Sequence, residues 1–389
     1  MAAFNDWGRR ARVGISGSYG GINLGDEAIL HGIVGQLREL PVDITVFSRN
    51  PDDTLRRHGV ARAIECRTLT RDEAREEVAR LDVLVLGGGG ILFDAEVEAY
   101  LREVALAHEV GVPVFVYAVS AGPLIEPEAR ALVRDTLNGA SVITVRDRQG
   151  KRLLEEVGVK KDVQVTADPA LLFDEEPLPE DALPREGITA GRRLVGFSVR
   201  EPGPAAPGLD VEHYHKLVAD AADFMVDRYD ADVVFVPLEP QSRDLQHSHA
   251  VVSQMLSPQH ASVLKQPYTS GQVLTMMKRF EFAVGMRLHF LIFAARQGVP
   301  FVALPYASKV TGFIEDLEMV MPPLTKVDAG RLIAHIDRSW DFREELRERI
   351  DRALPGLQAR ARETHHALVA LLEATMARAD RKERDICRR

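Results

Sequence analysis

Phe282-Ala283-Val284-Gly285-Met286-Arg287-Leu288-His289 opens on an apolar run that reads as a buried strand, then presents an Arg and a His two positions apart. A helix-like stretch, Phe290 to Arg296, follows, and a second buried run, Pro300 to Leu304, leads into Tyr306-Ala307-Ser308-Lys309. Strand, helix and strand in that order make a βα unit of a parallel sheet, and such sheets bind ligands beyond the carboxyl ends of their strands. Arg287, His289 and Lys309 all fall at such ends. Two cations and a titratable imidazole there suit a small, multiply anionic substrate whose reaction needs proton transfer. For this stretch alone, a surface Arg and His capping a helix is the plainer alternative.

The same alternation runs outward in both directions. In the first half, apolar and β-branched runs at Val13 to Ser16, Ile44 to Phe47, Val83 to Leu86, Val114 to Val119, Val142 to Val145 and Val163 to Thr166 are separated by helix-period segments such as Ala28 to Leu37 and Val97 to Val110. A second series follows near Leu194 to Val199, Val233 to Val236, Ser262 to Leu264, Phe282 to Val284 and Phe301 to Leu304. Between them lies Phe173 to Arg193, which carries Pro177, Pro179 and Pro184 among acidic residues and reads as a linker. The expected architecture is α/β, with two Rossmann-like domains and an interdomain cleft. The expected bounds are 1–175 and 193–340 for the domains, 176–192 for the linker, and 341–389 for a charged helical extension.

Composition narrows the function. The chain has 389 residues, enough for two domains of comparable size. A formal net charge of −9 disfavours generic nucleic-acid binding, so an anionic ligand must be held by a local cationic pocket. Cys66 and Cys387 share no metal-ligand spacing. Met1 to Arg12 has no apolar h-region, and no run of about eighteen apolar residues occurs. The expectation is a protein of the reducing cytoplasm with no transmembrane segment.

The residues that follow each strand carry the candidate chemistry. After the first comes Gly17-Ser18-Tyr19-Gly20-Gly21-Ile22-Asn23-Leu24-Gly25-Asp26-Glu27. Its glycines permit close backbone approach, and Asn23 with Asp26 fits a capping box. The loop is either an anion-binding helix start, using Gly20, Gly21, Asn23, Gly25 and Asp26, or a structural turn. It has neither Rossmann glycine spacing nor the Lys-Ser/Thr of a phosphate loop. The run Gly87-Gly88-Gly89-Gly90 is costly in chain entropy, so close approach to a substrate, by Gly88, Gly89 and Gly90 in particular, explains it better than an ordinary turn. At Arg146-Asp147-Arg148, one arginine reaches the cleft and the other pairs with Asp147, or all three form a surface cluster. Asp168-Pro169 caps the next helix. In the second series Arg200 is placed to contact a sugar or carboxylate and Glu239 to bind hydroxyls, although each alone reads as structural. His247, His249 and His260 have irregular spacing and read as a solvated helix and loop, with no metal site.

This ordered set resembles the polysaccharide pyruvyl transferase family. The resemblance rests on Asn23-Leu24-Gly25-Asp26-Glu27-Ala28, Gly87 to Gly90, Val145-Arg146-Asp147, Asp168-Pro169, Met286-Arg287-Leu288-His289 and Ser308-Lys309, across roughly Val13 to Leu317. It implies a GT-B-like fold and transfer of a pyruvyl unit from phosphoenolpyruvate to sugar hydroxyls, giving a pyruvate ketal and phosphate. By resemblance His289 is the catalytic histidine, and Arg146 and Lys309, with Arg287 as a weaker match, contact phosphoenolpyruvate. Arg200 and Glu239 remain acceptor candidates. No cofactor or metal is implied; the partners are phosphoenolpyruvate and a glycan or lipid-linked sugar. The charged extension and the Pro-rich linker depart from the family pattern. Two other readings compete: a GT-B-type glycosyltransferase using a nucleotide sugar, and a non-catalytic sugar- or nucleotide-binding protein.

Overall fold

A computed structural model describes residues 7–21, 23–189, 191–203, 208–239, 243–321 and 323–387. Ile22 of the glycine loop and Met1 to Asp6 of the leading segment lie outside these. The chain divides into two compact units: 1–21 with 26–174 and 358–389, and 22–25 with 175–357.

In the first unit the described residues form β1 (Ala11–Ser16), β2 (Val42–Ser48), β3 (Arg62–Glu65), β4 (Val83–Leu86), β5 (Gly89–Leu92), β6 (Val114–Ala121), β7 (Val142–Val145) and β8 (Val163–Val165). They make one parallel sheet in the order β3-β2-β1-β4-β6-β7-β8, with β5 paired to β6. The inner strands are continuous apolar runs because helices cover both faces, and Val13, Ile15, Val83 to Leu86 and Phe115 to Val119 are fully buried. Two strands escape a reading of apolar runs. β3 is Arg-Ala-Ile-Glu, an edge strand pairing only with β2, and β5 starts inside the glycine run.

The second unit holds β9 (Arg193–Ser198), β10 (Ala231–Phe235), β11 (Ala261–Val263), β12 (Phe282–Gly285) and β13 (Phe301–Ala303). Their order is β11-β10-β9-β12-β13, all parallel. Successive strands therefore step outward from β9 on one side and from β12 on the other. The β9/β12 junction is the switch point, where the crossover helices of neighbouring strands diverge and leave a crevice at the carboxyl ends. Gly285 pairs with Ser198 and with Ala303, so the segments that follow β9, β12 and β13 leave the sheet side by side.

Two expected boundaries are corrected. The stretch 176–192 is folded into the second unit. The Glu176 carboxylate accepts from Thr269 Oγ1 at 2.6 Å, Glu186 accepts from the amides of Lys265 and Gln266, and Ala182–Arg185 is a short helix. Nor is 341–389 a separate extension. After helix Ala329–Asp341, a helix runs from Arg343 to Cys387, and its residues from 358 onward belong to the first unit. Ala361, Thr364, Leu368, Leu372 and Met376 are buried at three- and four-residue spacing, an apolar seam that the Arg- and Glu-rich composition conceals. Gln358 Nε2 donates to the Leu171 carbonyl at 3.2 Å, and Thr364 and Thr166 share a buried hydroxyl hydrogen bond of 2.7 Å.

Candidate functional site

Arg200, Arg287, His289 and Lys309 follow the carboxyl ends of β9, β12 and β13, beside the β9/β12 switch point. Arg287 follows β12 and starts helix Leu288–Arg296. Its guanidinium is almost wholly buried and grips Asp244 through two bonds, Nε to Oδ2 at 2.9 Å and Nη2 to Oδ1 at 2.5 Å. Nη2 also reaches Glu239 Oε2 at 2.6 Å. Burial alone would make this guanidinium easier to deprotonate, but Asp244 and then Glu239 outweigh it and hold the charge more firmly than usual. Arg287 is therefore a compensated cation, and Glu239, read from the sequence as a hydroxyl-binding candidate, is one of its two partners.

Beside it lies a second cluster. Arg200, two residues past β9, donates from Nη1 to Tyr306 Oη at 2.9 Å, and its guanidinium carbon lies 5.1 Å from the Tyr306 ring centre. Lys309, on the first turn of helix Ser308–Asp316, places its ammonium 5.9 Å from the same ring. Burial pushes the Tyr306 hydroxyl up, yet Lys309, Arg200 and Arg287 together bring it down to about 8. The hydroxyl of Ser198, at the end of β9, is buried and has no hydrogen-bond partner among the described residues.

His289 is half-buried, the second residue of the helix that Arg287 starts. Residues 22–25 belong to the second unit: Leu24 N donates to the Leu238 carbonyl, and Ser270 Oγ donates to the Leu24 carbonyl, both at 2.7 Å. Asn23 Oδ1 accepts from Gly25 N at 3.0 Å, which starts helix Leu24–Leu37. A Cβ on Gly25 would overlap the His289 imidazole. The close approach that this glycine permits is to the histidine.

In the first unit Arg146 follows β7 and is buried against Asp168, with Nη1 to Oδ2 at 2.6 Å. Its Nε–H has no partner among the described residues. Asp168 also caps the short 3₁₀ turn Pro169–Leu171 by accepting from Ala170 N. Asp147, expected to pair with an arginine, is instead a helix cap that accepts from Gly150 N at 2.6 Å and from Ser120 Oγ at 2.7 Å, leaving Arg148 exposed. The glycine loop after β1 binds one of the protein's own anions: buried Glu27 accepts from Gly20 N at 2.9 Å and meets His58 Nε2 at 2.7 Å. Gly20 is left-handed (φ +73°), and Gly21 lies under the Arg49 guanidinium. In the glycine run, a Cβ at Gly87 would strike the Tyr19 hydroxyl, one at Gly88 would press on Ile29 and Tyr117, and Gly89 (φ +107°) has Asp26 beside it. Internal packing thus accounts for Gly87 and Gly88, while Gly90 is exposed.

The sequence carries no local signal for Asp244, for Tyr306 or for a histidine pair. His247 is half-buried and engaged: its Nδ1 lies 2.7 Å from His215 Nε2 and 2.7 Å from the Tyr214 hydroxyl. Burial, then His247, lowers His215 to about 4. His260 instead meets Asp232 at 2.9 Å, and His249 is exposed. Among the described residues, no group of three His, Cys, Asp or Glu is placed to hold a metal, and no helix is long and apolar enough to cross a membrane.

Parallel sheets with functional groups at the strand ends define an α/β protein of GT-B-like fold, and solved structures agree. The chain is similar to a glycosyltransferase from Rickettsia africae (12% identity, TM-score 0.64, covering 94% of this chain and 99% of that one). It is also similar to a UDP-GlcNAc 2-epimerase from Neisseria meningitidis bound to UDP-GlcNAc (11%, 0.62, 92% and 100%). A third likeness is to HepE of Anabaena in complex with UDP (13%, 0.62, 94% and 100%). At these identities the likeness establishes the fold alone. The polysaccharide pyruvyl transferase family profile matches residues 23–308, and the chain belongs to that family. It is a transferase. No curated protein matches the sequence significantly.

Proposed function

We propose that this transferase moves a pyruvyl group from phosphoenolpyruvate to sugar hydroxyls of a cell-surface glycan or its lipid-linked precursor, forming a pyruvate ketal and releasing phosphate. The observation that carries the reading is the cluster at the β9/β12 switch point, where His289, Lys309 and Arg200 stand within the family-matched span 23–308 or directly after it. Phosphoenolpyruvate brings a carboxylate and a phosphate, which lysine and arginine recognise through charge-assisted hydrogen bonds. Addition of a hydroxyl to its C2 needs a proton delivered to C3 and a proton taken from the hydroxyl, work suited to an imidazole.

His289 transfers protons and Lys309 binds the donor. Arg287, held by Asp244 and Glu239, starts the helix that carries the histidine, and Arg200 donates to the Tyr306 hydroxyl. Arg146 retains one unpartnered buried N–H, a donor suited to an anion. The test is release of phosphate from phosphoenolpyruvate across a panel of glycans, with nucleotide sugars offered in parallel. Turnover of a nucleotide sugar with phosphoenolpyruvate ignored would instead establish a glycosyltransferase, the activity named for the Rickettsia neighbour.

A further inference from the structure

Tyr306 lies in the loop between β13 and helix Ser308–Asp316, three residues before Lys309. Its ring is buried, and three cations face its hydroxyl: Arg200 from the end of β9, Lys309 from helix Ser308–Asp316, and Arg287, itself paired with Asp244 and Glu239, from the end of β12. The carboxylates nearby are engaged elsewhere. Glu239 and Asp244 hold Arg287, and Glu201 pairs with Arg243. Further titratable neighbours among the described residues are Tyr214, which donates to the Arg200 carbonyl, and His247 and His215 behind it. Among the described residues this buried phenol faces three cations, and it gives up its proton more readily than an ordinary tyrosine, at about 8.

We propose that Tyr306 is the second acid–base residue of the site, taking the proton from the attacking sugar hydroxyl while His289 supplies the proton at C3. The inference rests on the pyruvyl-transfer reading. In the first step the sugar oxygen bonds to C2 of phosphoenolpyruvate, and the C2–C3 π electrons take a proton from the His289 imidazolium. The hydroxyl proton passes to the Tyr306 phenolate. In the second step the C2–O bond to phosphate breaks, and the departing phosphate takes the proton from Tyr306. A second sugar hydroxyl then bonds to C2 and gives its proton to neutral His289. Phenolate and imidazolium are both restored, and the products are ketal and inorganic phosphate. The two groups divide the chemistry by charge: the anionic base stands among cations that also draw the phosphate in.

Tyrosinate absorbance tests the ionisation without any substrate. The chain has seven tyrosines, and burial raises the other six, Tyr19, Tyr100, Tyr117, Tyr214, Tyr229 and Tyr268, Tyr100 to about 12. Tyr306 therefore titrates alone. The parent should show one tyrosinate per chain appearing around pH 8, absent in Tyr306→Phe. Emergence of the first tyrosinate only above about pH 10, or an unchanged curve in Tyr306→Phe, overturns the proposal. Phosphate release should fall about 10²–10⁴-fold in Tyr306→Phe, with phosphoenolpyruvate affinity by calorimetry within about threefold and circular dichroism unchanged. Equal losses of affinity and rate would make Tyr306 a binding residue only. Absence of phosphate release in the parent would count against pyruvyl transfer, while the titration would still decide the state of the tyrosine.

Discussion

The imidazole of His289 fills the space that a side chain on Gly25 would need. Two motifs more than 260 residues apart in sequence therefore meet within the second unit, and the glycine of Asn23-Leu24-Gly25 has a specific mechanical reason. Gly25→Ala should displace the imidazole by tilting it off its present axis. A shift of about 1 Å at a catalytic group costs about 10²-fold in rate. Stability should change little, because the gain of alanine over glycine in a helix, about 1 kcal/mol, offsets the crowding. Phosphate release and thermal unfolding of the variant check this; near-parental turnover would contradict it.

Asp244 should matter more for stability than any other carboxylate of the site. It is 1% exposed and carries two of the three bonds to buried Arg287, whereas Glu239 is partly exposed. Removing one partner of a buried ion pair costs about 3–5 kcal/mol, so Asp244→Ala should lower the unfolding midpoint strongly and Glu239→Ala much less. Chemical denaturation of both variants decides it.

Stability should fall on the acid side of neutrality. His215 and His365 are both lowered to about 4 by burial, with His247 and His366 as the next cause. Below about pH 6.5 the unfolded chain takes up protons that the folded chain refuses, so stability falls as pH drops from 6.5 towards 4 and then levels for these groups. Each group adds a slope of at most about 1.4 kcal/mol per pH unit. His215→Gln should flatten this limb and leave stability above pH 7 dependent only on its lost contacts. Urea midpoints measured across the window test it.

The seam of the terminal helix carries a fourth prediction. Leu368 and Leu372 are fully buried, so Leu368→Ala and Leu372→Ala should each cost about 2–5 kcal/mol despite lying in a charge-rich segment. A chain truncated after Leu357 should fail to give a soluble first unit. Retention of the parental unfolding midpoint in both alanine variants would show the seam to be unimportant.

These cases also show what the sequence could carry. The strands with continuous apolar runs were legible because both faces of a parallel sheet are buried. β3 was not, since an edge strand with one neighbour tolerates Arg62 and Glu65, and β5 was hidden in glycines that read as loop. The terminal helix looked solvent-exposed because its seam is only one residue wide in each turn. At the site, Arg287, His289 and Lys309 announced themselves by following strands. Asp244 did not, because it is brought to Arg287 by tertiary folding across 43 positions. Tyr306 stood in plain view, but its chemistry depends on Arg200, 106 residues away, and nothing local to the loop encodes that contact.

The central claim is tested most directly by following the donor and the acceptor in one reaction. Phosphoenolpyruvate and a panel of glycans are incubated with the parent chain and with His289→Ala, and both phosphate and the acceptor mass are measured. The account predicts acceptor-dependent phosphate release and an acceptor heavier by one pyruvate less one water. Both signals should fall about 10²–10⁴-fold in His289→Ala while phosphoenolpyruvate still binds. Near-normal turnover in His289→Ala would remove the histidine from the mechanism, and a parent that consumed a nucleotide sugar but left phosphoenolpyruvate intact would contradict the account as a whole.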